Sequence, residues 1–424
     1  MTWKKVKLGE VLFHQESRYK PNDEKIAGLK RIEKIDFSGN IYLSDSKSRT
    51  DMIVIKSGEL IISGINVYKG AVAIYEGKED ITATIHYSSY RVKTEKIEVD
   101  FLKLFLKSPK FLDAIKEQIP GGIKTEIKPK HLLPLEVKIP DLSKQNDIVQ
   151  SFVNFENQQA LLINELSHQL DIVKKLRQQI LQDAVQGKLV NQNQNDEPAS
   201  ILLEKIKAEK EQLIKEKKLK KDKPLSPIKA EEIPFEIPEN WVWCRFSDIV
   251  EIESNSVSPF DFPNHPHIAP DNIEKNTGKL LNYKTVLQDE VKSVNHYFYP
   301  GQLIYSKVRP KLNKIVKVDF EGLCSADMYP LRPLINADFL LYSMLSSYFA
   351  VEVDRFDNRV KMPKINQNQL SQISVPLPPL PEQHRIVAKV ESLMRLCDEL
   401  EASIRQNQSY TEQLLQSALR EPLQ

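Results

Sequence analysis

The chain has little of what enzymes and secreted proteins usually display. Its 13 glycines in 424 residues form no GxGxxG and no GxxxxGK[ST], so neither a dinucleotide-binding turn nor a phosphate-cradling P-loop has support. Three cysteines, Cys244, Cys324 and Cys397, are scattered and odd in number; without a CxxC they argue against a disulfide framework or structural zinc and suit a reducing compartment. The eight histidines are isolated and form no HExxH, so no metal site is expected. No apolar run approaches the roughly 18 residues that span a bilayer. The N-terminal MTWKKVKLGE lacks a signal peptide's apolar region, so a cytoplasmic protein without membrane contact is expected. The one Pro-Pro, in LPPL, has the wrong flanks for an adenine methyltransferase motif, and APDNIEK (Ala269 to Lys275) is too tightly spaced for a nuclease site. No catalytic residue is nominated, and the chain reads as a binder. The net charge of +2 says little about partners. Locally there is more: nine lysines against five acids from Glu204 to Lys223, and a second cluster of Lys124, Lys128 and Lys130 in which Glu126 is the lone acid. Either run, taken alone, is by default a solvated face.

What the chain does have is repetition. KIPDLSKQNDIV (Lys138 to Val149) lies under PLPPLPEQHRIV (Pro376 to Val387) at an offset of 238, matching Pro140, Leu142, Gln145, Ile148 and Val149 with Pro378, Leu380, Gln383, Ile386 and Val387. The same offset pairs Trp3, Leu8, Glu10 and Val11 with Trp241, Phe246, Asp248 and Ile249, and DFLKLFL from Asp100 with DFLLYSM from Asp338. SGELIIS (Ser57 to Ser63) and PGQLIYS (Pro300 to Ser306) need an offset of 243, so loops of unequal length separate the anchors. Each copy reads as short β runs (DMIVI, GELIIS, GAVAIYE; then GQLIYS, NKIVKVDF, YPLRP), a helical stretch, and a long amphipathic helix. The expected organisation is α+β: globular parts at 1–140 and 241–377, helical parts at 141–223 and 378–424, and a proline-rich linker at 224–240.

The first long helix carries apolar residues at Phe152, Phe155, Leu162, Leu166, Leu170, Val173, Leu176, Ile180 and Ala184; the second at Ile386, Val390, Leu393, Cys397, Leu400, Ile404, Leu414 and Ala418. Steps of three and four make one seam on each. At ~1.5 Å per residue the first helix reaches about 65 Å, too long for a small domain to cover. An antiparallel pair, one helix from each repeat in a pseudo-twofold arrangement, covers both seams; the alternative is homodimerisation through each helix. PLPPLPEQHRIV offers a PxxP ligand on its face. Its first copy keeps only Pro140 yet feeds the same kind of helix, so the stretch reads as an extended lead that releases the chain into the rod at Glu382.

PLPPLPEQHRIVAKV, its weaker copy KIPDLSKQNDIVQSF, the central DEPASILLEKIKAEKEQLIKE and the second-half IPENWVWCRFSDIVEI together resemble the specificity (S) subunit of type I restriction-modification systems, the HsdS family, over the whole chain. The first copy departs from the motif at Asp141, Lys144 and Asp147, which puts in doubt any individual requirement for the motif side chains. The resemblance implies two target recognition domains alternating with helical conserved regions, and no catalysis in this chain. It further implies partners: double-stranded DNA, two methyltransferase (M) subunits docked on the helices, and restriction (R) subunits that join through the core so formed. S-adenosylmethionine, ATP and magnesium would belong to those partners. Each domain would read one half of a bipartite, non-palindromic target while the helices set the spacer; shortening a helix by one turn, ~5.4 Å, would shift a reader by one to two base pairs of ~3.4 Å. A specificity subunit for a fused restriction-methylation enzyme is the neighbouring alternative, and a coiled-coil scaffold that binds no DNA is the distant one.

Candidate DNA contacts follow the matched LIIS and LIYS strands: Asn66, Tyr68 and Lys69 in the first domain, and Lys307, Arg309, Lys311 and Asn313 in the second. A second set precedes each helical region: Lys124, Thr125 and Lys128, then Asn358, Arg359, Lys361 and Lys364. Arginine pairs with guanine and asparagine with adenine in bidentate fashion, whereas lysine more often positions on phosphate.

Overall fold

The computed structural model describes residues 3–46, 48–119, 126–216, 225–356 and 363–418. The chain divides into two compact units, residues 1–167 with 405–424, and residues 168–404. In the first, a four-stranded antiparallel sheet runs in the order Leu12–His14, Tyr87–Val92, Leu60–Ser63, Val72–Ile74; a second sheet runs Ile41–Ser44, Arg31–Ile35, Ile81–Thr84, Met52–Ile55, with one parallel pairing at Arg31 and Thr82. Ile61 and Ala73 face Ile32, Ile53 and Ala83 in a core between the sheets, while Leu60, Ile62 and Tyr90 join Phe101, Phe105 and Phe111 in a core beneath the helices. The split follows from strand alternation: successive residues of LIIS enter opposite cores.

The second unit repeats the plan. One sheet runs Val250–Ile252, Met328–Pro333, Leu303–Ser306, Ile315–Lys317, and a five-stranded sheet again holds one parallel pair, at His267 and Leu323. In both units a two-stranded ribbon closes the domain. Lys4 pairs with Ile139 and Lys7 with Glu136; Val242 pairs with Leu377 and Arg245 with Ser374. Every one of these partners is displaced by 238.

Each helical stretch expected after the strands is two helices, Val99–Leu106 with Pro109–Gln118, and Ala337–Leu345 with Ser347–Asp354. The break is a buried serine that caps the second helix: Ser108 Oγ accepts from Phe111 N and Ser346 Oγ from Phe349 N, both at 3.3 Å. Serine competes with the backbone for hydrogen bonds and so ends one helix and starts another.

A buried glutamine joins each long helix to its own domain. Gln145 Nε2 donates to Pro140 O at 2.8 Å, and its Oε1 accepts from Glu98 N at 2.7 Å. Gln383 Nε2 donates to Pro378 O at 2.9 Å, and its Oε1 accepts from Asn336 N at 2.9 Å. Glu98 and Asn336 are themselves the N-caps of the first domain helices, accepting from Phe101 N and Phe339 N. One side chain thus ties the strand exit, the long helix and the domain helix.

The long helices span Leu142–Val185 and Leu380–Ala418. The second starts two residues before Glu382, with Pro381 inside its first turn, where a missing N–H costs nothing. Burial follows a strict seven-residue step from the clamps onward: Gln145, Phe152, Gln159, Leu166, Val173 and Ile180 on the first helix, and Gln383, Val390, Cys397, Ile404 and Thr411 on the second. The seam is narrower than the sequence suggests. Leu162, Leu176, Leu400 and Leu414 are exposed, because the flanking row of the 3–4 alternation lies one residue further on, at half-buried Ile163, Leu170 and Arg177 of the first helix and Met394, Glu401 and Gln408 of the second. The helices run antiparallel. In the first unit Gln159 Nε2 donates to Thr411 O at 2.7 Å; in the second, Arg177 reaches Asp398 at 2.7 Å and Glu401 at 3.2 Å. A buried polar residue at one heptad position sets register. Within each unit the seven-residue row of the seam is buried by the same chain.

The motif side chains absent from the first copy have an occupant only in the second. Glu382 accepts from Trp241 Nε1 at 3.0 Å and from Gln192 Nε2 at 2.6 Å, and Arg385 pairs with Asp196 at 2.6 Å. They hold the segment that leaves the first long helix at Gly187, whose φ of 69° and approach to Pro238 exclude a side chain. At the first root Lys144 and Asp147 are exposed, and Trp3 lies instead under the Lys110 ammonium, 4.2 Å from the ring centroid.

Replacing Gln145 or Gln383 by leucine leaves a buried carbonyl unpaired, at about 1–3 kcal/mol, and a half-buried N–H unpaired at somewhat less. Denaturant unfolding is expected to show a loss of about 2–5 kcal/mol; a change below about 1 kcal/mol would show that the clamp is dispensable. Burial raises the Glu382 carboxyl above the usual carboxylate range, against the hydrogen bonds from Trp241 and Gln192 and the Arg385 charge, and Asp196 adds to the rise. The folded state therefore holds this proton more tightly than the unfolded chain. Its contribution is present below the unfolded value, ~4.3, and is lost as pH rises through the folded one. The stability difference between wild type and Glu382→Gln should fall across that window; a difference that grows with pH would refute this assignment.

Candidate nucleic-acid interface

The two loop segments nominated in each repeat lie side by side, through the same backbone bonds. After strand Leu60–Ser63, Gly64 N donates to His86 O at 2.8 Å and Ile127 N donates to Gly64 O at 2.8 Å; after strand Leu303–Ser306, Lys307 N donates to Asp327 O at 3.0 Å and Ile365 N to Lys307 O at 3.0 Å. The loop that follows the strand and the segment that precedes the helical region therefore share one edge in each domain. Approach is closest in the first, where a Cβ on Gly64 would stand 2.8 Å from the Ile127 carbonyl.

In the first domain Asn66 opens a short turn, Val67–Lys69, that ends on Gly70 at φ 92°. Its carbonyl accepts from Lys69 N and Ala71 N, and its side chain makes no capping bond. Tyr68 lies within this turn. Lys69 is exposed, its ammonium 5.5 Å from the Phe37 ring centroid. Lys128 is exposed and stands 3.6 Å from Glu126. Lys124 and Thr125 lie outside the described residues, as do Asn358, Arg359 and Lys361.

In the second domain Lys307 extends over the Tyr329 ring at 5.3 Å, Lys311 pairs with Asp354 at 2.8 Å, and Lys364 with Asp327 at 3.0 Å. Asn313 does not face solvent. It is 3% exposed and its Nδ2 donates to Met344 O at 2.8 Å, so its amide holds the loop to helix Ala337–Leu345 and is not offered to a base. Arg309 is exposed, in the left-handed region at φ 48° and immediately before Pro310, a conformation that costs a non-glycine residue of order 1 kcal/mol. Its backbone N donates to Pro363 O at 2.8 Å, and the bridge between Val308 and Lys364 braces the loop. The guanidinium has no ion pair or hydrogen bond among the described residues. It is a charge fixed at its base and uncommitted at its tip.

A cleft of 480 Å³ opens beside the first-domain edge, lined in part by His14, Arg18, His86, Glu126 and Lys128. His86 Nδ1 lies 2.8 Å from Glu126 Oε1, and Arg18 pairs with Asp51 at 2.7 Å. The hydrogen bond with His86, aided by Lys128, holds the Glu126 carboxyl below the usual carboxylate range, so it is ionised at neutral pH. Burial lowers His14, with Glu16 opposing. Sequence reasoning passed over Arg18 and His86, which lie far apart in the chain and far from any basic run. Glu126 had one signal, as the only acid in its lysine cluster. Among the described residues no group of three or more His, Cys, Asp or Glu could hold a metal ion, and no helix is long and apolar enough to cross a membrane.

The sequence profile described as the type I restriction modification DNA specificity domain matches this chain twice, over residues 1–171 and 238–408. The chain is 32% identical over 419 residues to the type I restriction enzyme EcoDI specificity subunit of Escherichia coli, covering 98% of this chain and 87% of that protein. It is 22% identical over 425 residues to the MjaVIII specificity subunit of Methanocaldococcus jannaschii, covering 93% and 87%. The crystal structure of the HsdS subunit from Thermoanaerobacter tengcongensis shares the fold at a TM-score of 0.54 and 16% identity, with 99% of this chain and 96% of that one covered. With the same strand ribbon, glutamine clamp and loop edge in each half, the chain belongs to the type I restriction-modification DNA specificity family.

Proposed function

We propose that the chain is the sequence-reading subunit of a type I restriction-modification complex, with target recognition domains at 1–140 and 241–377, each engaging one half of a bipartite target through the shared loop edge. The observation that supports this reading is the convergence of two separately nominated segments, by identical backbone bonds, in both repeats. Different side chains on the two edges make the target non-palindromic. Arg309 is the leading base reader of the second domain, since an exposed guanidinium on a braced backbone suits the O6 and N7 of guanine. Lys69, Lys128 and Lys311 act on phosphate, where charge positions the protein without reading sequence.

The long helices serve as the spacer and as the dock for two methyltransferase subunits, and restriction subunits join through that core. This chain supplies no catalysis; S-adenosylmethionine, ATP and magnesium act in the partners. Two readers that enter the major groove from one face are constrained by the ~34 Å repeat of the duplex, which a rigid helix pair can match and a flexible linker cannot.

Modified-base sequencing of the host is expected to find a bipartite adenine-methylated motif that disappears when this gene is deleted. An unchanged methylome with all subunits expressed would exclude the reading. Arg309→Ala should weaken binding by about 1–3 kcal/mol and relax preference at one base of one half-site. An equal loss on every sequence would make Arg309 a phosphate contact instead.

A further inference from the structure

The loop edges of the two domains carry a polar side-chain pair at the same place, with the carboxylate on opposite sides. The strand pairing that sets Ser63 opposite Tyr87 sets Ser306 opposite Met328, so His86 and Asp327, each one residue earlier, hold equivalent positions. Their carbonyls accept the equivalent bonds from Gly64 N and Lys307 N. Glu126 and Lys364 are likewise equivalent, each preceding the isoleucine whose N–H closes the edge, Ile127 and Ile365. The first domain therefore places a histidine on the strand side against a carboxylate on the helix side, at 2.8 Å; the second places a carboxylate on the strand side against an ammonium on the helix side, at 3.0 Å.

Stability does not account for the pairs. The four side chains are 30–47% exposed, and such pairs contribute about 0–1 kcal/mol. Their geometry is that of a presented group with a fixed orientation: one partner from the sheet, one from the segment that runs along the loop edge. Glu126 also lines the cleft, with Lys128 beside it.

Resting on the proposed DNA-reading role, we propose that Glu126 and Lys364 are the equivalent specificity-determining residues of the two domains, and that His86 and Asp327 position them. A carboxylate only accepts hydrogen bonds, so Glu126 takes an exocyclic amino group, N4 of cytosine or N6 of adenine. An ammonium only donates, so Lys364 takes an acceptor edge, O6 and N7 of guanine or O4 of thymine. The inverted sign makes the two half-sites differ in kind at this step: an amino base in the first, a keto base in the second.

The test uses the assembled complex with its methyltransferase subunits. Wild type, Glu126→Lys and Lys364→Glu are compared by modified-base sequencing and by binding to duplexes varied one position at a time. Glu126→Lys should exchange preference from an amino to a keto base at one position of the first half-site by about tenfold or more, leaving the second half-site unchanged; Lys364→Glu should do the converse. If a charge-reversed subunit fails to assemble, Glu126→Gln and Lys364→Gln carry the same comparison, with discrimination at that position expected to drop. An unaltered motif in assembled variants, or an equal loss of affinity on every duplex, overturns the proposal. A wild-type complex without any bipartite motif would instead defeat the parent reading, before any substitution is made.

Discussion

Each domain is tied to its own long helix by one buried glutamine at the helix root. Gln145 and Gln383 each satisfy the last carbonyl of the chain entering the helix and the first N–H of the helix that packs beneath the sheet. The bond to the carbonyl is buried and the bond from the N–H is half-buried. Leaving a buried polar group unpaired costs far more than a hydrogen bond usually returns, so the angle at which rod leaves domain is determined by a side chain of fixed length. The strand ribbon on one side and the capped helix on the other then follow.

The reading edge proposed above would need such rigidity. Discrimination between bases depends on donors and acceptors held to a fraction of an ångström, and loops alone are poor at this. Here each loop is sewn to the next segment by backbone bonds, at Gly64 and Ile127 and at Lys307 and Ile365. The left-handed Arg309 is tolerated because Pro363, the Val308 bridge and buried Asn313 over-determine the loop around it. Strain of this sort persists only where the surroundings leave no alternative.

The two halves are alike where they are built and unlike where they meet other things. Ribbon register, serine breaks, glutamine clamps and loop-edge bonds repeat. The helix roots differ: Glu382 and Arg385 hold the connecting segment through Gln192 and Asp196, whereas Lys144 and Asp147 face solvent. The loop edges differ as well, in which side carries the carboxylate: Glu126 on the helix side of its pair with His86, Asp327 on the strand side of its pair with Lys364.

The sequence by itself determined the repeat, the α+β class and the two seams, because these rest on periodicity and spacing that any contiguous stretch displays. It also marked Gln145 and Gln383 as matched, without saying why. The division of the helical stretches at Ser108 and Ser346, the narrowing of the seam to a heptad, the burial of Asn313 and the meeting of His86 with Glu126 were decided by tertiary structure. Each depends on which groups, distant in the chain, are left without water and must find partners, and local pattern holds no record of that distance.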